Sequence, residues 1–395
     1  MLSCSVSTTD RITGPAPESH GAPLPQQASA GGSAKTARPV SLPSLTGLRW
    51  TAALMVFLFH VCIVEYFGGR TGGMLGYAFG VGNTGVSFFF ILSGFVLAWS
   101  TPPGSRGVVR FWRRRLARVY PLHLATALIA LAMAYFLAAG TIPERRQLLA
   151  NLFLVQSWVH DGSFYQSANP VSWSLACEAF FYFLFPLIIR PLRATGWRGS
   201  VAIGAVSLAL VVAMPTLVDR FAEPMHADWA IYYFPLARVP EFLLGIVLAE
   251  LVRENRWRGP GLTVAFGLTM FGYFMASQAD FPYRYAACTV VGFASLIAAA
   301  AVADLRDEPS PWRGRISVKL GEISFAFYMV HILVIRTGEH LYRSHPKDPW
   351  PTGLLVAGAA FTISLSAAWL LHTYVENPGR RLLLRNRSGG ARAAR

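Results

Sequence analysis

Arg49 and His60 are the first two residues of this chain whose types and spacing could do chemistry. Both fall in an apolar run, where a charged side chain is costly and usually has a role. On a helix, eleven residues come to within about 20° of three full turns and rise about 16 Å. The two side chains therefore leave one face, about half a bilayer apart. A guanidinium can hold an anionic group, and an imidazole with a pKa near neutrality can take a proton from a hydroxyl. The bland alternative is an arginine reaching for the interface beside a packing histidine. A shared face argues against it.

Other ionisable residues sit at similar cost: Glu178, Arg238, Glu241, His331 and His372. Glu178 lies about two turns into an aromatic-rich helix, where a carboxylate must pair or take up a proton. It could orient His60, pair with Arg49 or Arg238, bind acceptor hydroxyls, or form a purely structural ion pair. Arg238 and Glu241 are three residues apart and can satisfy each other, which favours structure there. His331 is a second buried imidazole and is read first as packing. Ser93, in Ser93-Gly94, has no adjacent base and reads as helix packing. Asn83 near the outer mouth could bind an acceptor hydroxyl. Glu376 before Pro378 resembles a helix terminus, with the carboxylate close to arginines.

The densest basic cluster is Arg106, Arg110, Arg113, Arg114, Arg115 and Arg118, interleaved with Phe111 and Trp112 and read as a loop. Guanidinium groups fork onto phosphate oxygens and stack on rings, so the cluster suits a nucleotide-bearing ligand. Anchoring at a membrane surface also uses arginine.

The elements that must position these groups follow from composition. Of 395 residues, 53% are hydrophobic and 14% charged, with mean hydropathy +0.41; a soluble domain of this length would need more charged surface. Apolar runs of about 20 residues match the roughly 30 Å a membrane helix crosses. They predict an all-α, polytopic bundle of about ten transmembrane helices, at 46–67, 80–100, 119–139, 171–190, 200–218, 229–251, 261–277, 285–303, 320–337 and 352–375. The segment Gln147–Trp158 is too short to span and is expected along an interface. Residues 1–44, rich in Ser, Gly, Pro and Ala and without a signal-peptide pattern, read as a disordered cytoplasmic tail. Residues 45–385 form the membrane domain and 386–395 a basic cytoplasmic tail.

With the N-terminus inside, 25 of the 35 basic residues fall in inner segments and eight in outer ones, with Arg49 and Arg238 inside spans. This is the alternation that positive-inside topology requires. It predicts a multi-pass protein of the bacterial inner membrane with both termini cytoplasmic. It also accounts for the net charge of +15 without nucleic acid, because the charge is spread over every inner loop. Four cysteines (Cys4, Cys62, Cys177 and Cys288) have neither metal spacing nor a disulfide pattern.

Taken together, these pieces resemble the acyltransferase family 3 of membrane acyltransferases, which includes O-antigen, exopolysaccharide and macrolide O-acyltransferases. The matching residues are Leu48-Arg49 with His60, Gly85 to Phe95, Phe111 to Arg118 with Tyr120-Pro121, and Trp173 to Glu178. Further along they are Arg238 with Glu241 and Gly245, Ile323 to His331, and Glu376 to Pro378. They run from about 45 to 385. The resemblance implies transfer of an acyl group, acetyl first among them, from cytoplasmic acyl-CoA to a hydroxyl of a glycan, lipid-linked saccharide or macrolide-like acceptor. No permanently bound cofactor is implied; acyl-CoA serves as donor co-substrate. In the family the arginine and histidine of the first span and the arginines after the second are held to be functional, here Arg49, His60, Arg113 and Arg114. Some relatives carry an extracytoplasmic SGNH hydrolase domain. This chain ends near its last span, so the membrane part is expected to suffice. Ala176 and Cys177 depart from the expected small or polar residues of their motif.

The expected division of labour is His60, Arg49 and Glu178 in catalysis, Arg110, Arg113, Arg114 and Arg118 on the donor, and Asn83, Trp173 and His331 on the acceptor. His60 would act as general base or accept the acyl group transiently. The competing function is a transporter or flippase of a glycan intermediate, although no internal repeat of the transporter kind is visible. A scaffold without catalysis would not need Arg49 and His60 on one face.

Overall fold

The computed structural model describes residues 41–104, 107–342 and 349–385. The expected tails lie outside the described residues apart from 41–44, as do Arg106, Arg343 and Lys347. The described secondary structure is helical, with no strand among the described residues. In chain order the helices are α1 (Pro43–Ile63), α2 (Gly69–Phe79), α3 (Gly85–Ser100), α4 (Val108–Leu137), α5 (Arg145–Leu152), α6 (Gly162–Tyr165) and α7 (Trp173–Ala194). They continue with α8 (Gly196–Phe221), α9 (Val239–Arg253), α10 (Leu262–Gln278), α11 (Val290–Leu305), α12 (Arg315–Tyr342), α13 (Trp350–Leu371) and α14 (Asn377–Leu384).

Each of the ten predicted spans contains an α-helix. Among the described residues, seven stretches are long and apolar enough to cross a membrane: Pro43–Ile63, Gly69–Ser100, Val108–Leu137, Pro170–Ala194, Gly196–Phe221, Arg315–Tyr342 and Trp350–Leu384. The remaining positions hold α9, α10 and α11, of 15, 17 and 16 residues. The predicted span 229–251 is broken because Pro235 and Pro240 interrupt the backbone ladder; a π turn (Trp229–Tyr233) and a 3-10 turn (Pro235–Arg238) precede α9.

Helix ends meet as alternate crossing requires. Ser44, at the start of α1, bonds Asp304 at the end of α11 through its amide (2.8 Å) and hydroxyl (2.7 Å). Arg193 and Arg253, near the ends of α7 and α9, cap the end of α3. Arg193 donates to the carbonyls of Ala98 (3.3 Å) and Thr101 (2.8 Å), and Arg253 to those of Ala98 (2.6 Å) and Trp99 (2.9 Å). Both guanidinium groups also bond Glu250 Oε1 at 2.8 Å. These carbonyls would otherwise lack partners, and cations suit the negative end of a helix. Arginines predicted as loop anchors thus also tie three helices together. We call this end of the bundle the basic side.

Small residues bring the central helices close. A Cβ on Gly321 of α12 would collide with the carbonyl of Thr46 on α1, and one on Gly94 of α3 with that of Phe242 on α9. The first contact seats the Arg49–His60 helix directly on α12.

Three local expectations change. The basic cluster is the first three turns of α4 rather than a loop, because residues 108–118 contain no glycine or proline and are rich in helix-favouring Arg, Leu and Ala. The segment 147–158 does not simply lie on an interface. Its Asn151, Gln156 and Ser157 are fully buried and bond Ser172 and Trp173 at the start of α7. Glu376 is no terminus beside arginines: it accepts from His372 Nδ1 at 2.9 Å across a π turn, and helix resumes through Pro378.

Candidate active site

His60 lies one turn before the end of α1, half-buried. Its Nδ1 is 2.8 Å from the carbonyl of Val56 and 3.1 Å from Nε2 of His331. The Nδ1 of His331, fully buried on α12, faces the carbonyls of Tyr328 (2.7 Å) and Phe327 (3.2 Å). A carbonyl only accepts, so both Nδ1 atoms carry hydrogen. His331 Nε2 then holds a lone pair and accepts from His60, whose Nδ1–H is shared between Val56 and His331. The opposite tautomer of His60 would set two lone pairs against each other at 2.8 Å. His60 Nε2 is left as a lone pair that bonds no described residue. That is the form a general base needs.

At the basic side, a cavity of about 80 Å³ is bounded by Arg49 of α1, Phe89, Phe90 and Ser93 of α3, and Arg115 and Arg118 of α4. Ser174, Glu178 and Tyr182 of α7 and Glu322 and Tyr328 of α12 complete the lining. It has room for several waters. Glu178 accepts a hydrogen bond from Tyr182 at 2.8 Å. Arg49, Arg115 and Arg118, all half-buried, have no carboxylate within 4 Å among the described residues. Three guanidinium groups with no carboxylate in contact, beside Glu178 and with Glu322 at the mouth, are chemically suited to hold an anion.

One stripe of α12 joins the two ends. Glu322 is exposed at the mouth, Phe325 and Tyr328 line the cavity, and His331 stands one turn beyond Tyr328, at the three-residue spacing of one helix face. The Tyr328 and His331 rings are 5.9 Å apart, and Tyr328 OH meets Ser174 Oγ at 2.9 Å. Asn169 fixes this stretch of α12 by donating to the carbonyl of Met329 at 2.8 Å.

The predicted site residues fall into three groups. Arg49, Glu178 and Arg118 meet at the cavity. His60 and His331 meet at the imidazole pair, so Glu178 stands with Arg49 and not beside His60; Val56 and His331 hold the His60 tautomer instead. Arg110, Arg113 and Arg114 point outward, and Arg113 donates to the carbonyl of Leu384 at 3.0 Å. Asn83 and Trp173 lie toward the His60 end. The turn at Gly82–Asn83 packs on Met55 and Phe59 of α1, and the Trp173 ring contacts Tyr232 at 4.7 Å. Asn83 Oδ1 is buried without a partner among the described residues. Ser174, Tyr182 and Tyr328 were not singled out from sequence, and Arg115 was named only as part of the basic cluster. Arg115 and Arg118 precede the buried Leu122 by seven and four residues, a spacing that could have marked the inward face.

Fold and site define a multi-pass helical membrane protein with an anion cleft and a buried imidazole pair. The chain belongs to acyltransferase family 3: the family model for its acyltransferase domain matches residues 42–371. It is 40% identical over 366 residues to acyltransferase MdmB of Streptomyces mycarofaciens, covering 89% of this chain and 94% of that one. It is 24% identical over 371 residues to a protein of Staphylococcus aureus strain COL named "Putative O-acetyltransferase SACOL0978", spanning 86% of this chain and 57% of that one. A Bacillus subtilis protein named "Putative peptidoglycan O-acetyltransferase YrhL" is 26% identical over 236 residues, 54% of this chain and 34% of its own length. No solved structure matches. The chain is therefore an acyltransferase embedded in a membrane.

Proposed function

We propose that this acyltransferase moves an acyl group, acetyl in the first instance, from acyl-CoA to a hydroxyl of a glycan, lipid-linked saccharide or macrolide-like acceptor. The observation that carries this reading is the pairing of three arginines that touch no carboxylate, around one cavity, with a histidine pair one helical turn past its wall. The basic side faces the cytoplasm of a bacterial inner membrane, in line with the arginine alternation, and both chain termini lie there. Arg115 and Arg118 receive the phosphates of CoA, and Arg49 holds the donor at the cavity. The thioester passes Glu178 and Tyr328 toward His60.

At that point His60 Nε2 removes the proton from the acceptor hydroxyl as its oxygen attacks the thioester carbonyl. The C–S bond breaks, and the CoA sulfur leaves with the proton returned by the imidazolium. His331, accepting from His60 Nδ1–H, favours the charged form while it exists. Asn83 and Trp173 belong to the acceptor side. Asn151, Gln156 and Ser157, bonded to Ser172 and Trp173, hold the start of α7 on that side.

The test uses purified full-length protein with labelled acetyl-CoA and an acceptor extract from the producing cells. Wild type should release free CoA and label the acceptor, and His60→Ala, inserted at the same level, should lose at least about a hundred-fold of this rate. Full transfer by His60→Ala would refute the role of His60. Acceptor movement across vesicles without CoA release would favour a flippase.

A further inference from the structure

A second cavity, of about 380 Å³, lies on a different face of α1 from Arg49 and His60, between α1, the end of α2, α3, α10 and α11, with Trp312 beside it. Its deep wall includes Leu48, Phe88 and Leu296, each at most 4% exposed, while Phe266 and Met270 of α10 flank its mouth at 43% and 46% exposure. In a membrane such a mouth opens to lipid, not to water. Apolar walls give water too few partners, so a space of this size holds an apolar guest or nothing.

Four hydroxyls interrupt the lining, and they divide in two. Thr51 accepts from Trp312 Nε1 at 3.1 Å and Thr269 donates to the carbonyl of Ala265 at 2.9 Å, so both are satisfied. Thr84 Oγ1 and Tyr273 OH are buried with no partner among the described residues, and Thr84 is only 1% exposed. Leaving two buried hydroxyls without partners is unfavourable. Both can donate, and both lie toward the end of the cavity away from the basic side. There the turn leading into α3 meets α1, since a Cβ on Gly82 would strike the Met55 carbonyl.

We infer that this cavity binds one fatty-acyl chain of a bilayer phospholipid. Its ester carbonyl accepts from Thr84 and Tyr273, and the chain descends past Phe88 toward Leu48. The lipid comes from the leaflet opposite the basic side. By filling the back of α1 it braces the helix that carries Arg49 and His60. The inference stands on the cavity and the two hydroxyls, and not on the acyl-transfer reading.

The experiment reconstitutes the full chain in vesicles of phosphatidylethanolamine and phosphatidylglycerol doped with a phosphatidylglycerol whose acyl chain carries a diazirine. After photolysis the labelled peptides are mapped by mass spectrometry. Label should concentrate on the α1, α3 and α10 residues of this cavity, competed by excess unlabelled phosphatidylglycerol. Met55→Trp, which fills the cavity, should lose most of that label while labelling of α8 and α13 stays constant. Thr84→Val, nearly isosteric, should weaken retention by about five-fold, the worth of one net hydrogen bond. Label spread evenly over lipid-facing helices, or unchanged cavity labelling in both variants, would overturn the inference. So would displacement of the probe by acyl-CoA but not by phospholipid.

Discussion

Two of the arginine–glutamate sets inside this bundle are built to opposite ends. Arg238, 2% exposed, has Nε 3.1 Å from Glu241 Oε2, donates to Ser87 Oγ at 2.8 Å and to the carbonyl of Ile231 at 3.3 Å, and lies over the rings of Phe90 and Tyr232. In that set each charge touches its counter-ion, although Arg238 Nε and both Glu241 oxygens form no hydrogen bond among the described residues. Arg49 and Glu178 share a cavity, yet Glu178 bonds Tyr182 and Arg49 is left with Arg115 and Arg118 for company. The first set neutralises itself within one turn of backbone. The second gathers three cations around Glu178, with Glu322 exposed at the mouth, and no carboxylate comes within 4 Å of them among the described residues. A buried charge therefore signals function by what it lacks more than by its burial.

The sharpest way to break this contrast is to remove one partner of each set. Arg238→Met leaves Glu241 buried and unpaired, at a cost of about 3–5 kcal/mol, and should abolish correctly folded protein in a detergent thermal-stability assay. Arg49→Met should leave the melting temperature near wild type while transfer from acetyl-CoA falls about a hundred-fold; loss of folding in both would erase the distinction. Next in size is His331→Phe, which removes the acceptor of His60 Nδ1–H while filling similar space. It should lower kcat about ten- to a hundred-fold with the KM for acetyl-CoA unchanged, a split that a packing histidine would not produce.

The arginines of α4 give a finer division. Arg115→Gln should raise the KM for acetyl-CoA about ten-fold with kcat retained, because a charge-assisted contact is worth about 1.5–3 kcal/mol. Arg113→Gln, on the outward face, should change it less than two-fold. Equal effects would place the donor outside the cavity. Tyr328→Ala tests specificity instead, since it removes the wall between the cavity and His331. It should shift preference from acetyl-CoA toward butyryl-CoA by about ten-fold, since each added methylene in an apolar pocket is worth about 1 kcal/mol.

Much of the site is legible along the chain, for a reason particular to membranes. Hydrocarbon makes each ionisable residue conspicuous, and the helix period puts Arg49 and His60 on one face without any knowledge of their neighbours. The i, i+3 pair of Arg238 and Glu241 is equally local. The α4 arginines are harder, because six in thirteen residues satisfy anchoring, capping and binding alike. Only the packing of α4 on α7, with Phe111 stacked on Phe185 at 5.1 Å, decides that Arg115 and Arg118 turn inward while Arg113 turns out. Glu178 had several partners open to it, and the choice among them depends on helix crossings that no local spacing encodes.

By itself the sequence determined a helical membrane bundle, the alternation of its ends and the shared face of Arg49 and His60. These depend on run length, charge and helical period, all short-range quantities. The tertiary structure alone decided that His331 of α12 holds His60 in the tautomer with a free Nε2, and that Glu178 belongs to the arginine cavity. It also decided that Tyr328 stands between them. Such contacts join residues up to 271 positions apart, and they exist because the Gly321–Thr46 approach brings α12 against α1.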